Sequence, residues 1–208
     1  MNKEHSDLRK EEIINACEIL YDKYHFKDIT IKLISEQTTF SRPSIYNYFE
    51  TKEEIFLALF KREYEKWTKE IKEIIAKNNS LTKEDFAVKL ARTVANRERL
   101  LKLLSMNMYD LEENSRLERL KDFKESYKEA IEAVKDCLTK FFKELTEQDK
   151  DEFVYSFFPF MFGIYPYAVV TEKQKRAMTE VGISYKYHSI YELAYLGIKK
   201  LLKQMEAS

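Results

Sequence analysis

The sequence predicts an all-α fold, for three reasons. Gly and Pro number only three each among 208 residues, too few for the many tight turns of a β-sandwich or barrel. Apolar residues recur at the spacing of a helix along most of the chain. Six hydroxyl residues precede an acid or Gln by three positions, as in a helix capping box: Thr51, Thr82, Ser115, Thr146, Thr171 and Ser189.

Long apolar stripes place the main helices. Three of them run over 55–75, 117–145 and 191–205, and shorter ones cover 86–94 and 100–111. The breaks between stripes are short and polar, and no repeat or flexible linker interrupts the series. We therefore expect one large helical domain over residues 53–208.

The first fifty residues follow a different pattern. Three short helices are predicted over 13–24, 31–38 and 42–49. Thr30 and Ser41 occupy the expected N-cap positions of the second and third helix. A joint of three or four residues between these two is the spacing of a helix-turn-helix, whose second helix enters the DNA major groove. Residues 1–52 are thus predicted to form a DNA-binding domain.

The composition excludes several classes of protein. Acidic and basic residues number 36 each, so any nucleic-acid contact must come from a local patch. The first residues contain no apolar signal segment. The longest nearly uncharged stretch, 153–171, contains Pro, Gly and polar residues, so no membrane partner is expected. Cys17 and Cys137 lie far apart without a partner motif, which indicates a cytoplasmic location.

A set of residues between positions 13 and 55 forms a recognisable pattern: Ile14-Asn15-Ala16, Phe26, Thr30-Ile31-x-x-Ile34, Phe40-Ser41 and Ser44-Ile45-Tyr46-Asn47-Tyr48-Phe49-x-Thr51-Lys52-Glu53-Glu54-Ile55. This pattern resembles the DNA-binding domain of the TetR family of transcriptional regulators. The resemblance covers about a quarter of the chain. It implies a homodimer formed through the C-terminal helices, a small-molecule effector in the second domain, and phosphate contacts from Tyr46 and Lys52.

Three positions depart from the family pattern, which usually has Gly where this chain has His25, Thr39 and Pro43. Gly at residue 25 would supply a left-handed cap after the first helix. A β-branched residue at position 39 would be strained by ~1–2 kcal/mol if its φ were positive. Pro43 falls in the first turn of the recognition helix, where its missing N–H costs little.

The residues predicted to contact DNA lie around the second and third helices. They are Thr30, Lys32, Arg42, Pro43, Ser44, Tyr46, Asn47, Tyr48 and Lys52. Arg42 can donate two hydrogen bonds to guanine, or it can bind phosphate. Pro43 either contacts a thymine methyl or only starts the helix. Lys52 begins the fourth helix, where free N–H groups also attract an anion.

The predicted DNA-binding domain is not basic overall. Residues 1–52 contain eight Lys or Arg and nine Asp or Glu. We expect the acids of the first helix to face away from DNA, leaving few phosphate contacts per subunit. The logarithm of affinity should then fall with the logarithm of salt concentration by a slope no steeper than about −10 for the dimer.

Residues 53–208 contain no catalytic motif and no metal-ligand pattern, so we expect no enzyme activity, no metal and no cofactor. Their notable feature is eight aromatic residues between positions 153 and 167. This segment either packs on its own domain and on a partner subunit, or one face also lines a ligand cavity. Both uses are compatible. Gly197, among larger apolar residues, predicts close approach of a second helix.

The predicted ligand contacts share an inward position by periodicity. They are Trp67, Met106, Tyr109, Phe123, Tyr127, Phe158, Met161 and Tyr165. At each of the first five positions, such a residue is more often ordinary core than a ligand contact. Such a lining suits a flat, apolar or aromatic molecule.

The sequence therefore predicts a homodimeric, ligand-responsive repressor that binds a pseudo-palindromic double-stranded operator. An unidentified small-molecule effector would tilt the fourth helix, change the spacing of the two recognition helices and release the DNA. The main alternative is a helical interaction or adaptor protein that has lost specific DNA binding. The near-neutral first domain and the missing Gly residues motivate it. A helical enzyme is disfavoured by the absence of motifs.

Overall fold

The computed structural model describes residues 3–106 and 108–205. These residues form helices joined by short connections, with one 3₁₀ turn at Phe26–Asp28 and no β-strand among them. The helices are α1 Lys3–Tyr21, α2 Ile31–Ser35, α3 Arg42–Ile45, α4 Lys52–Lys77, α5 Lys83–Ala95, α6 Glu98–Leu104, α7 Met108–Glu113, α8 Leu117–Phe141, α9 Glu147–Ala168, α10 Glu172–Glu180 and α11 Ile190–Gln204. The predicted all-α fold is confirmed.

The chain forms two compact units. The first unit comprises Met1–Arg62 and Asn107–Tyr127, and the second comprises Glu63–Met106 and Lys128–Ser208. Because α4 and α8 are long, each contributes residues to both units. The predicted functional boundary between residues 52 and 53 concerns DNA and ligand binding, and it stays a prediction.

The first unit contains the small core expected for a helix-turn-helix. Ile34 of α2 and Ile45 of α3 are fully buried, and Phe49 is 1% exposed. Helix α2 packs against both α1 and α3. The ring of Tyr21 meets the ring of Phe56 edge to face, with centroids 5.2 Å apart. This packing fixes two very short helices that would not be stable alone.

The second unit is built around α9 and α11. Helix α11 packs against α5 and α9, and α6 packs against α9. The core is aromatic: Trp67, Phe86, Phe153 and Phe157 are fully buried. The predicted close approach at Gly197 of α11 is confirmed, because the atoms nearest to its Cβ position belong to the ring of Phe160 in α9. The two helices can pack this closely because residue 197 has no side chain.

The six predicted capping boxes have different outcomes. Complete boxes start α9, α10 and α11 at Thr146, Thr171 and Ser189. The Thr82 and Thr51 hydroxyls each accept the backbone N–H three residues on. The prediction for Ser115 is wrong: its hydroxyl donates to the carbonyl oxygen of Leu111 at 2.7 Å, so it closes α7 instead of starting α8.

Helix α9 continues through both of its prolines, Pro159 and Pro166. Each ring removes one backbone hydrogen bond without ending the helix. Within the described part of the chain, no single helix is long and apolar enough to cross a bilayer. Helices α9 and α10 satisfy those two criteria only when taken together, and they meet at 83°.

Candidate nucleic-acid interface

Helix α3 is the recognition helix of the predicted motif, and its start is set by Ser41 and Pro43. Ser41 has the extended backbone of an N-cap residue, and Pro43 lies in the first turn, where no donor is needed. The Ser41 hydroxyl gives no capping bond to the backbone and lies 3.2 Å from the Ser44 hydroxyl. Ile45 is the buried residue of this helix. The rest of the short helix is therefore available to a partner.

Most of the residues predicted to contact DNA are at the surface. The exposed ones are Thr30, Lys32, Arg42, Pro43, Tyr46 and Asn47, and Ser44 is half-buried. A guanidinium nitrogen of Arg42 donates to the Tyr46 hydroxyl at 3.1 Å, and its carbon lies 5.9 Å from the Tyr46 ring centre. These two side chains are four residues apart and lie on the same side of the helix. They form an exposed patch of hydrogen-bond donors beside the first turn of α3, the Arg42–Tyr46 patch.

Thr30 starts α2 as predicted from its position. Its hydroxyl oxygen accepts the backbone N–H of Leu33 at 3.1 Å, which satisfies one of the free donors of the first turn. Lys32 lies 4.0 Å from Glu36 one turn later. Both Lys32 and Glu36 are exposed, so this pair holds the ammonium only weakly and leaves it able to meet a phosphate.

The turn between α2 and α3 is not strained at Thr39. Among the described residues no side-chain-bearing residue has a positive φ, so neither Thr39 nor His25 adopts the left-handed conformation that Gly would favour. Instead, the Glu12 carboxylate of α1 accepts the Thr39 backbone N–H at 2.6 Å and its hydroxyl at 2.7 Å. The backbone bond lowers the pKa of Glu12, against a smaller opposing effect of burial. A carboxylate thus holds a turn for which the family pattern implies Gly.

Lys52 is engaged inside the first unit. Its ammonium donates to the carbonyl oxygens of Phe26 at 3.1 Å and Ile29 at 3.3 Å, and it lies 4.1 Å from the Phe26 ring centre. It therefore fixes the connection between α1 and α2 to the start of α4. An ammonium has three donors, so the predicted phosphate contact stays a prediction.

The structure contradicts the surface position of Tyr48. Only 8% of this residue is exposed, and its ring lies 6.5 Å from that of Phe40 in the small core. The physical reason is that α3 ends at Ile45, with Tyr46 as its C-cap, so the helical phase that placed Tyr48 outside does not extend to it. Tyr46, by contrast, is 44% exposed.

Five of the predicted ligand contacts belong to the second unit. Trp67, Phe158 and Met161 are buried, whereas Met106 and Tyr165 are half-buried. The rings of Trp67 and Phe158 lie 5.7 Å apart, and the indole N–H donates to the buried Thr93 hydroxyl at 3.0 Å. The structure thus brings Trp67 and Phe158 together. Burial also raises the pKa of the Tyr165 hydroxyl.

Three other predicted ligand contacts belong to the first unit. Phe123 is buried with its ring centre 4.9 Å from that of Phe60, and Tyr127 is half-buried. The inward position predicted for Tyr109 is wrong, because 83% of this residue is exposed. The apolar stripe over 100–111 predicts a single helix. The chain instead ends α6 at Leu104 and starts α7 at Met108, so the helical phase is lost before Tyr109.

An open groove of about 530 Å³ lies on the second unit between α4 and α5. Its lining includes Glu70, Lys77 and Arg92, and none of the predicted ligand contacts lines it. The groove is polar and wide open, unlike the enclosed apolar sites that bind most small molecules.

Comparison with known proteins identifies the family. A family model described as "Tetracyclin repressor-like, C-terminal domain" matches residues 61–186, and one described as "Bacterial regulatory proteins, tetR family" matches residues 13–59. The chain belongs to the TetR family. TetR-family members are DNA-binding transcriptional regulators, and this is the functional class of the chain.

Individual TetR relatives are distant. The chain is 38% identical over 56 residues to YfiR of Bacillus subtilis, an uncharacterized HTH-type transcriptional regulator. This match spans about a quarter of either protein, 27% of each. A Mesorhizobium loti protein assigned to the TetR family has a TM-score of 0.64 at 12% identity and covers 98% of both chains. FadR of Bacillus subtilis, solved with stearoyl-CoA, has a TM-score of 0.60 at 17% identity over 92% of this chain and 96% of its own. These structures share the TetR fold.

Proposed function

We propose that this TetR-family chain is a homodimeric, ligand-responsive repressor of the cytoplasm. DNA binding would reside in residues 1–52, and ligand binding and dimerisation in residues 53–208. The observation that carries the proposal is the Arg42–Tyr46 patch, exposed beside the first turn of α3 in a chain of this family. Two such patches related by a dyad would contact a pseudo-palindromic operator.

The contacts proposed for the recognition surface follow from side-chain chemistry. Arg42 is placed to donate to guanine O6 and N7 in the major groove. Thr30, Lys32, Tyr46 and Lys52 would contact phosphates, and Pro43, Ser44 and Asn47 would lie against the bases or sugars. Tyr48 has no place in this set, because its side chain is buried.

Binding of a selected duplex tests the DNA-binding proposal. Wild-type protein would select duplexes from a randomised library, and the enriched sequence would be confirmed by gel shift. We expect a pseudo-palindrome whose half-sites lie one DNA turn or a multiple of it apart. If no sequence is enriched in any ligand state, the chain is instead a helical adaptor without specific DNA binding, and the repressor proposal fails.

The proposed effector is a small apolar or aromatic molecule bound in the second unit. The contact of the buried Trp67 and Phe158 rings supports this class, with Met161 one turn after Phe158 on the buried side of α9 and the Thr93 hydroxyl bonded to the indole. Bound stearoyl-CoA in the FadR structure makes long-chain acyl-CoA the first compound to screen. We expect stearoyl-CoA to raise the thermal midpoint and weaken operator binding, whereas coenzyme A alone does neither.

An exposed apolar stripe along α9 supports the proposed dimer. Tyr155, Pro159, Phe162 and Pro166 follow one another at spacings of four, three and four residues, and all are exposed. Such a stripe is typical of a helix that packs on a partner. Phe162→Glu should therefore give a monomer by light scattering and abolish operator binding at nanomolar concentration. Gln148→Glu, an exposed substitution on the same helix, should leave the dimer intact.

A further inference from the structure

The segment that joins the recognition helix to α4 is held by two arginines that precede and begin α8. Arg116 forms a bidentate ion pair with Glu54: its Nε donates to Oε1 at 2.6 Å and its Nη2 to Oε2 at 2.8 Å. The backbone N–H of Arg116 also donates to Glu54 at 3.1 Å, and that of Glu50 at 2.9 Å. Glu54 is fully buried. Its carboxylate thus accepts hydrogen bonds both from Glu50, just before α4, and from Arg116, just before α8.

The second arginine contacts the chain directly after α3. Nη2 of Arg119 donates to the carbonyl oxygen of Tyr48 at 2.8 Å, and the guanidinium carbon lies 5.3 Å from the Phe49 ring centre. The Tyr48 carbonyl follows the end of the recognition helix, where backbone acceptors have no helical partner. A third connection comes from the Thr51 hydroxyl, which donates to the Asn114 carbonyl oxygen at 2.9 Å.

These bonds constrain geometry more than they stabilise the fold. The ion pair gains little net free energy, because desolvation of the buried Glu54 carboxylate offsets much of its attraction to Arg116. Its bidentate form nevertheless fixes distance and direction. All three connections reach residues 48–54, which lie between the buried end of α3 and the first turn of α4. They therefore determine how α3 is directed relative to α4 within the first unit.

We propose that Arg116 and Arg119 are positioning residues for operator recognition. They orient the recognition helix through the joint at residues 48–54 and do not themselves touch DNA. This inference rests on the proposed function, because it needs an operator. It differs from a role in stability alone, since it predicts loss of sequence discrimination in a protein that is still folded.

The test compares two duplexes: the one that wild-type protein selects from a random library, and a scrambled duplex of the same length. Arg119→Met should weaken binding to the selected duplex about tenfold or more, while binding to the scrambled duplex and the salt slope stay unchanged. Arg119→Lys should restore the affinity to within about threefold, because an ammonium can still donate to the Tyr48 carbonyl. Arg116→Gln should resemble Arg119→Met.

The matched control is Arg176→Gln, which removes an equal charge from an exposed pair with Glu180 on α10. It should leave both affinities unchanged. Thermal midpoints are measured for every variant, and affinities are compared well below them. Arg119 is 23% exposed and donates to a neutral carbonyl, so Arg119→Met leaves no buried charge without a partner, and this residue decides the outcome if Arg116→Gln does not fold.

Three results would overturn the proposal. If both duplexes lose affinity equally and the salt slope becomes shallower by about 1 per lost arginine, the arginines bind phosphate directly. If folded Arg119→Met keeps full affinity, the joint does not position α3. If Arg119→Lys binds the selected duplex as weakly as Arg119→Met, the hydrogen bond to the Tyr48 carbonyl does not orient the recognition helix. Failure of wild-type protein to select any duplex would overturn the proposed function itself, and this inference with it.

Discussion

The ring of Phe160 in α9 lies directly over Gly197 in α11. A Cβ atom on residue 197 would stand 2.5 Å from Cε1 and 2.7 Å from Cζ of that ring. Gly197→Ala gains up to about 1 kcal/mol in helix propensity. The clash should outweigh it, so we expect the free energy of unfolding to fall by about 1–3 kcal/mol in urea titrations.

Gly163→Ala is the matched control for that substitution. Gly163 also lies inside a helix, but apart from its chain neighbours and the local helix backbone no heavy atom lies within 4 Å of its Cβ position. This variant should be more stable than wild type by about 0.5–1 kcal/mol. If both variants were stabilised equally, the contact at Phe160 would not constrain α11.

The bond between Glu12 and Thr39 should make stability depend on pH. The Thr39 backbone N–H lowers the pKa of Glu12 below its usual 4.5 in the folded state. The bond therefore stabilises the fold above pH 4.5, and this stability is lost as pH falls through the lower folded value. Glu12→Ala should lower the free energy of unfolding by about 1 kcal/mol at pH 7. The deficit should shrink below pH 4. Glu125→Ala, an exposed carboxylate in α8, should show neither effect in the same titrations.

The hydrogen bond from Trp67 to Thr93 leaves a buried donor when it is removed. Thr93→Val should cost about 1–3 kcal/mol, because the indole N–H loses its acceptor inside the core. Thr93→Ser keeps the hydroxyl and should cost only about 1 kcal/mol for the lost methyl. Since Trp67 is the single tryptophan, its fluorescence reports unfolding directly. Equal losses in the two variants would contradict a role for this bond.

Arg42 and Lys52 should differ in what they contribute to operator binding. Arg42→Ala should leave the thermal midpoint unchanged and relax discrimination at one base pair by about 1–3 kcal/mol. Lys52→Ala should weaken all duplexes alike. It should also lower the thermal midpoint, because the Phe26 and Ile29 carbonyls lose their donor. Binding to single-base operator variants measures the first effect. If both variants merely scale affinity equally, Arg42 does not contact a base.

The long helices could be predicted from sequence, because helical periodicity is local. The stripes over 55–75 and 117–145 fall within α4 and α8 to within a few residues, and the N-caps of α9, α10 and α11 are correct. The helical phase of an apolar stripe is lost where a helix ends at a residue that no capping or turn signal marks. That loss explains the wrong positions of Tyr109 and Tyr48, which follow the ends of α6 and α3.

Contacts between distant residues could not be predicted. Glu12 and Thr39 are 27 residues apart, and Glu54 and Arg116 are 62 apart, and no spacing rule connects either pair. The sequence predicts for Glu54 only the acidic position of a capping box with Thr51. In the structure its carboxylate instead accepts hydrogen bonds from Arg116 and from the Glu50 N–H. An unusual residue where Gly is expected, such as Thr39, is the one signal that a tertiary partner was needed.

The two prolines of α9 lie seven residues apart, so they fall on one side of the helix, two turns from each other. Each proline removes the hydrogen bond from its own backbone nitrogen to the carbonyl oxygen four residues earlier, on that side of the helix. A helix that lacks such a bond bends away from the proline. Both prolines are exposed, whereas Phe157 and Phe158, just before Pro159, and Met161, between the prolines, are buried. The bends favoured by the two prolines therefore lie in the same plane and have the same direction. We therefore expect α9 to bend most readily in that plane, concave toward the core of its own unit.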